Sequence, residues 1–222
     1  ASTVVFIGDT FPPNRFKNPE QKLAQLVEMM SRGCGIVCLP YATGLRGEDV
    51  ANDGDHPLLR WMGGYFATGQ CPHHRSVARI FAEATTTPTT PDHPISRGWK
   101  EFTLHDEPYI NNYFGKDNNR LAENVTAVAT SMLPPEDPKP EIVAWCVQRD
   151  DGGRGFGIVM PHFYRNWADE DLRRLILNGV VWTAGREVPQ AGVMTTLADL
   201  AAFEPESVEP VPRRPKNSKA AK

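Results

Sequence analysis

The chain has 222 residues, of which 40% are hydrophobic and 23% are charged, and its formal net charge is -3. This composition supports a packed core and excludes a globally disordered chain. A pI of about 6.1 indicates no basic face for nucleic acid, and no apolar run approaches the roughly 18 residues of a membrane-spanning helix. We therefore expect neither a nucleic acid nor a membrane as a partner.

The N-terminal part of the chain predicts a strand, a helix and a second strand. Residues 4–7 form a short apolar run, and residues 19–32 carry apolar side chains at helical spacing. Residues 35–41 form a second apolar run. This order predicts a βαβ unit with two parallel neighbouring strands. Because no element precedes the first strand, we expect the N-terminal part of the domain to be missing from this chain.

The middle of the chain predicts short elements separated by polar, Gly-rich and Pro-rich segments. A short helix is expected over residues 58–66 and an extended excursion over 84–94. Two further strands are expected, at residues 102–104 and 125–132.

The C-terminal part predicts a hairpin, a helix and a tail. Residues 142–149 and 155–160 are strand-like and flank an Asp- and Gly-rich turn. Residues 169–184 carry an amphipathic helical pattern with acidic residues in the first turn. We expect an α/β domain over residues 1–188 and an extended tail over 189–222 that is disordered towards its end.

Four cysteines, Cys34, Cys38, Cys71 and Cys146, favour buried free thiols over a disulfide pair. The absence of a CxxC pair argues against a structural zinc site. Cys38 precedes Pro40 inside a predicted strand. No Ser or Cys with flanking glycines stands at that strand end, so the sequence lacks the sharp nucleophile turn of α/β hydrolases.

One candidate site lies around His162, between a predicted strand and a helix N-terminus. Open α/β sheets bind ligands at this position, and free N–H groups at a helix start favour oxyanions. The dipole of that helix disfavours a charged imidazole near its N-terminus. His162 would therefore be neutral and able to act as acid, base or ligand. The alternative is a histidine that bonds only to backbone at a strand end.

A second cluster consists of His105, Asp106, Glu107 and Tyr109. Paired carboxylates beside a histidine suit acid–base chemistry, a hard cation or sugar hydroxyls. The alternative is a solvated turn, because Asp, Pro and Asn are turn-forming residues.

Several residue runs, in this order along the chain, resemble the ThuA-like, or trehalose-utilisation, family, and most of all the group common in planctomycete-type bacteria. The resemblance covers roughly residues 1–195. The matching runs are GCGIVCLPYA at residues 33–42, WMGGYF at 61–66, DHPISRG at 92–98, DEPY at 106–109, VAW at 143–145, GGRGFG at 152–157, HF at 162–163, NW at 166–167, LN at 177–178 and WTA at 182–184.

The resemblance implies a fold like that of class I glutamine amidotransferases. This is a flavodoxin-like, mostly parallel sheet with helices on both faces, here N-terminally incomplete because the family's first strand and helix are absent. It also implies that the amidotransferase nucleophile is missing. The family is associated with bacterial use of disaccharides by way of oxidised (3-keto) sugars.

Carried over by residue, the resemblance implies a sugar pocket with three catalytic and four substrate-binding positions. His162 would transfer protons, with Asp106 and Glu107 as its carboxylate partners. The substrate-binding residues would be Tyr41, Tyr109, Asn166 and Trp167.

Departures from the family pattern bear on metal binding. Pro40 and Tyr164 stand where relatives usually have histidines, and residues 67–70 also lack a usual histidine. A metal site of the family's type would lose ligands through these changes. We therefore expect no bound metal and no cofactor.

Two main functions follow from the sequence. The first is an enzyme, a hydrolase or an isomerase, that acts on a sugar; the second is a non-catalytic sugar-binding or partner-binding module. An amidotransferase that uses Cys38 is a distant third. A homo-oligomer and either a cytoplasmic or an exported location in a bacterium are compatible with the sequence.

Overall fold

The computed structural model describes residues 1–8, 10–197 and 199–203. Most of the predicted tail, residues 204–222, lies outside the described residues. The strands and α-helices are β1 (Thr3–Ile7), α1 (Pro19–Ser31), β2 (Gly35–Leu39), β3 (Gly44–Leu45), α2 (Pro57–Met62), β4 (Phe66–Ala67), β5 (Val77–Ala78), β6 (Phe81–Pro88), β7 (Phe102–Asp106), β8 (Tyr109–Ile110), β9 (Val125–Leu133), β10 (Lys139–Gln148), β11 (Arg154–Ile158) and α3 (Glu170–Thr183).

Short 3₁₀ helices connect several of these elements, and two of them carry predicted site residues. Pro40–Thr43 follows β2 directly, and Tyr164–Ala168 leads into α3. The structure confirms the predicted strand–helix–strand unit, because β1 and β2 pair in parallel with α1 between them. It also confirms the hairpin, since β10 and β11 pair antiparallel.

The seven-stranded sheet has the order β1-β2-β11-β10-β9-β6-β7. Its pairings β1/β2 and β2/β11 are parallel, whereas the other four are antiparallel. The prediction of a mostly parallel sheet is therefore wrong; the fold is a mixed α/β fold. The physical reason is the short connections after β9 and β10, because a parallel pairing needs a crossover of a dozen or more residues.

Helices cover both faces of the β2/β11 region. A Cβ atom on Gly155 would lie 2.1 Å from the Trp61 carbonyl oxygen in α2, and one on Gly179 in α3 would lie 2.3 Å from the Phe156 ring. Successive residues of a strand point to opposite faces. Gly155 and Phe156 therefore place α2 on one face and α3 on the other, each in close contact with the sheet.

The sheet curls so that its far edge approaches its parallel part. Strand β7 is the edge strand furthest from β1, yet Asp106 at its end accepts hydrogen bonds from the backbone that follows β11. Curling thus brings the carboxyl ends of β2, β11 and β7 together.

Within the described part of the chain, no helix combines the length and the apolar character that crossing a bilayer requires.

Candidate functional site

Five of the predicted site residues meet where three strands end. Tyr41 follows β2, His162 follows β11, and Asp106 is the last residue of β7. Glu107 and Tyr109 come next along the chain from Asp106. The carboxyl ends of strands are where open α/β sheets bind ligands, so this convergence makes a candidate site.

The Asp106 carboxylate joins β7 to the segment after β11. Its side chain is fully buried, and its Oδ1 accepts the backbone N–H groups of Glu107 and His162 at 2.8 Å each. The same oxygen accepts the N–H of Phe163 at 3.3 Å. Hydrogen bonds to a charged acceptor are stronger than neutral ones. Asp106 therefore fixes the backbone of His162 in addition to lying beside its ring.

The His162 imidazole is enclosed by two tyrosines. Only 3% of its side chain is exposed, and its ring centroid lies 4.5 Å from that of Tyr41 and 4.6 Å from that of Tyr109. Its Nδ1 is 4.0 Å from Asp106 Oδ1, which is too long for a hydrogen bond. Within the described residues, neither ring nitrogen has a hydrogen-bond partner, so the hydrogen-bonding capacity of both is unused.

Burial sets the protonation state of this site. Desolvation lowers the pKa of His162 to about 4, against the smaller opposing effect of the Asp106 charge. The imidazole is therefore neutral at pH 7, as the sequence predicts, but the cause is burial and not the helix dipole on which that prediction was based. Burial also raises the pKa of Glu107, an effect that its hydrogen bond from Tyr41 partly offsets and that the Asp106 charge reinforces.

Tyr41 forms the solvent-facing side of the cluster. It is 45% exposed, its ring meets His162 edge-on at an interplanar angle of 87°, and its hydroxyl lies 3.5 Å from Glu107 Oε2. Phe66 stacks on Tyr109 with a centroid distance of 3.9 Å. The sequence analysis did not select Phe66, although it belongs to the WMGGYF run that carries the resemblance.

Within the described structure, no hydrogen bond or ring contact joins Asn166 or Trp167 to the His162 ring. The Asn166 side chain is buried, and its amide donates to the backbone oxygen of His105 at 2.9 Å. Trp167 lines a separate, mainly apolar cavity of about 310 Å³ together with Tyr164 and Leu177. Asn166 therefore has a visible role in holding the segment before α3 against β7, and substrate binding by either residue stays a prediction.

The four cysteines are free and buried, which confirms the prediction made for them. Cys38 lies inside β2, and burial raises the pKa of its thiol far above the ordinary value. A thiol that is neutral and enclosed is a poor nucleophile. This disfavours the amidotransferase-like use of Cys38.

Metal ligation has no visible candidate in the described ranges 1–8, 10–197 and 199–203. No group of three His, Cys, Asp or Glu side chains there has an arrangement that could hold an ion. His73 instead forms a 2.8 Å hydrogen bond with the Tyr65 hydroxyl, and His56 caps α2 by accepting the N–H of Leu58. The absence of a metal stays a prediction.

A large cavity lies away from this cluster. It has a volume of about 620 Å³ and is lined by the end of α1, by α2 and by the β10–β11 turn. That turn is at the end of the sheet opposite to His162, because it precedes β11 whereas His162 follows it. Cavity size alone does not select the site; the convergence of polar groups does.

Two comparisons with known proteins, one by family model and one by structure, agree with each other. The family model ThuA, described as trehalose utilisation, matches residues 1–183. A ThuA-like protein from Parabacteroides merdae has a similar structure, with a TM-score of 0.53 and 17% identity over 85% of this chain and 72% of that chain. One from Bacteroides uniformis has a TM-score of 0.57 and 14% identity over 84% and 70%. At such identities the likeness shows the fold alone. None of the curated proteins gives a significant match.

Replacing Asp106 tests its role in fixing the segment after β11. Asp106→Ala leaves three backbone N–H groups without an acceptor, so we expect the free energy of unfolding to fall by about 3 to 5 kcal/mol. Asp106→Asn retains one acceptor oxygen and should lose less. The measurement is urea denaturation, with the exposed Asp53→Ala as the matched control; an Ala variant as stable as the control would contradict this role.

The buried neutral His162 predicts a pH dependence of stability. Its pKa is about 4 in the folded chain and 6.5 ordinarily, so the unfolded chain takes up the proton first as the pH falls. The stability that His162 contributes is therefore complete above pH 6.5 and is lost towards pH 4. In His162→Gln this loss is absent, and the stability difference from wild type should change by about 3 kcal/mol between pH 7 and pH 4. Parallel curves for the two proteins in urea titrations would contradict the burial of a neutral imidazole.

Proposed function

The chain belongs to the ThuA, or trehalose-utilisation, family, and on that premise we propose that it binds and acts on a disaccharide or its keto form at His162. Membership of the family gives the chain a role related to carbohydrate utilisation. The particular ligand, the place where it binds and the reaction are the parts that we propose.

One observation carries the proposal: His162 presents two buried ring nitrogens without partners in the described chain, between two aromatic rings. A buried polar atom without a partner is costly, so ligand hydroxyls that supply the missing hydrogen bonds would bind favourably. Sugar hydroxyls both donate and accept hydrogen bonds, and the C–H faces of a sugar ring suit the rings of Tyr41 and Tyr109. This combination of groups fits a neutral sugar.

The chemistry that we propose is proton transfer. A neutral imidazole can accept a proton from a hydroxyl, or from the carbon next to the carbonyl of a 3-keto sugar, and return it to the same or a neighbouring atom. The Asp106 carboxylate, 4.0 Å from Nδ1, would stabilise the imidazolium that forms in between. Glu107, with its raised pKa, would exchange protons with a ligand at the more open side of the site. An isomerase or a hydrolase would use these steps.

A second candidate function is non-catalytic binding of a sugar or a partner protein. It is favoured by the enclosure of His162, whose side chain is only 3% exposed beneath Tyr41. Direct proton transfer would require the Tyr41 ring to move, whereas hydrogen bonding at Tyr41 and Glu107 would not. This candidate predicts saturable sugar binding without product.

The finer fold assignment also remains a proposal. The parallel unit β1-β2-β11, with helices on both faces, supports a relation to the flavodoxin-like amidotransferase fold. The antiparallel strands β10, β9, β6 and β7 would then be an elaboration that carries Asp106 to the site.

Titration with common disaccharides and their 3-keto forms tests the proposal. We expect a sugar-specific rise in Tm and product formation with wild type; His162→Gln should bind at least about tenfold more weakly and lose turnover. The matched control is His74→Gln, because the His74 ring bonds to the Asn111 carbonyl outside this cluster. Full turnover by His162→Gln would exclude its catalytic role, and binding without product in wild type would favour the non-catalytic function.

A further inference from the structure

Four arginines cluster at the end of the sheet opposite to His162. Arg32 follows α1, Arg97 follows the 3₁₀ helix Pro94–Ser96, Arg154 begins β11, and Arg186 follows α3. No ion pair joins any of them to a carboxylate in the part of the chain that the structure describes. A group of arginines that forms no ion pair attracts anions.

The cluster surrounds two adjoining cavities. One, of about 240 Å³, is lined by Arg32 and Arg154. The other, of about 210 Å³, is lined by Arg97, Arg154 and Arg186. Arg154 and Gly185 line both, so the two cavities adjoin each other and share one arginine.

Arg154 is held in a fixed position. Its Nε donates to Gln148 Oε1 and its Nη1 donates to the backbone oxygen of Trp182, each at 2.9 Å. Its guanidinium group lies 4.7 Å from the centre of the Trp182 ring. A guanidinium group has five N–H donors, so these contacts orient it and leave further donors for a ligand.

Capping of the α3 C-terminus explains only part of this arrangement. Arg154 donates to Trp182 and Arg97 donates to the Val188 carbonyl, which stabilises the chain after α3. The last carbonyls of α3 are also bonded by the N–H groups of Gly185 and Arg186. The side chains of Arg32 and Arg186 form no hydrogen bond in the described structure, so capping does not account for them.

The positive charges of these arginines also act on a neighbouring histidine, His93. The pKa of His93 is lowered, first by burial and then by the charges of Arg154 and Arg97. The acidic residue that lines the second cavity is Glu187, beside Arg186. The local balance is thus positive.

We propose that these two cavities form a binding site for a small polyanion with two oxyanionic groups, one in each cavity, with Arg154 shared between them. Phosphate and carboxylate groups are both negatively charged, and both offer two oxygens that can accept a pair of N–H bonds from one guanidinium group. This site is separate from the proposed sugar site, because it lies at the opposite end of the strands, and it does not depend on the function proposed there.

Calorimetric titration with pyrophosphate and with citrate, at an ionic strength of about 0.15 M where exposed charges are screened, tests this site. Wild type should bind at least one of them saturably. The double variant Arg32→Gln/Arg186→Gln, which breaks no hydrogen bond of the fold, should weaken binding at least about tenfold. Stronger binding of pyrophosphate would identify phosphate as the preferred group, and stronger binding of citrate would identify carboxylate.

The matched control is Arg60→Gln/Arg79→Gln, which removes the same charge from two arginines paired with Asp55 and Glu136. It should bind within about twofold of wild type. Equal weakening in both double variants would show a non-specific charge effect and overturn the proposal. Absence of binding of both anions to wild type would also overturn it.

Discussion

The arrangement of this site depends on one buried carboxylate. Asp106 lies at the end of the strand furthest from β1, and its Oδ1 accepts N–H groups from both His162 and Phe163 across the curled sheet. A buried carboxylate is stable only when such hydrogen bonds replace its lost hydration. The curl of the sheet, the path of the chain after β11 and the place of the imidazole are therefore linked through a single side chain.

This constraint also explains the chemistry of His162. The backbone is held by Asp106 while the ring packs between Tyr41 and Tyr109, so the imidazole is positioned and desolvated together. Desolvation keeps it neutral, and the adjacent carboxylate would favour the imidazolium if a proton arrived. Neutral hydrogen-bonding groups between aromatic rings suit a sugar better than a charged metabolite. The arginines at the opposite end of the sheet differ from this site, because their positive charges favour anions.

Local patterns predicted much of the fold, whereas long-range pairing did not follow from them. The unit β1-α1-β2, the β10–β11 hairpin and α3 were predicted because their periodicity and turn residues are contained in short segments. The sheet was expected to be mostly parallel. This failed because short connections make β10 antiparallel to both of its neighbours, and because β6 pairs with β9, which is distant along the chain. The family was predicted correctly from several residue runs in order. Tyr41, Asp106, Glu107, Tyr109 and His162 lie together in the structure, and their roles in binding or catalysis stay predictions. The buried orientation of the Asn166 side chain could not be predicted from its neighbours in the sequence.

The central claim is that a neutral, buried His162 contacts a sugar. Its most direct test is NMR of the histidine rings with and without a saturating disaccharide or 3-keto sugar, with the His162 signal assigned by its loss in His162→Gln. Our account predicts a neutral ring at pH 7 with a pKa of about 4 and a selective change of its nitrogen shifts when sugar binds. A sugar that binds while the His162 signals stay unchanged would contradict it.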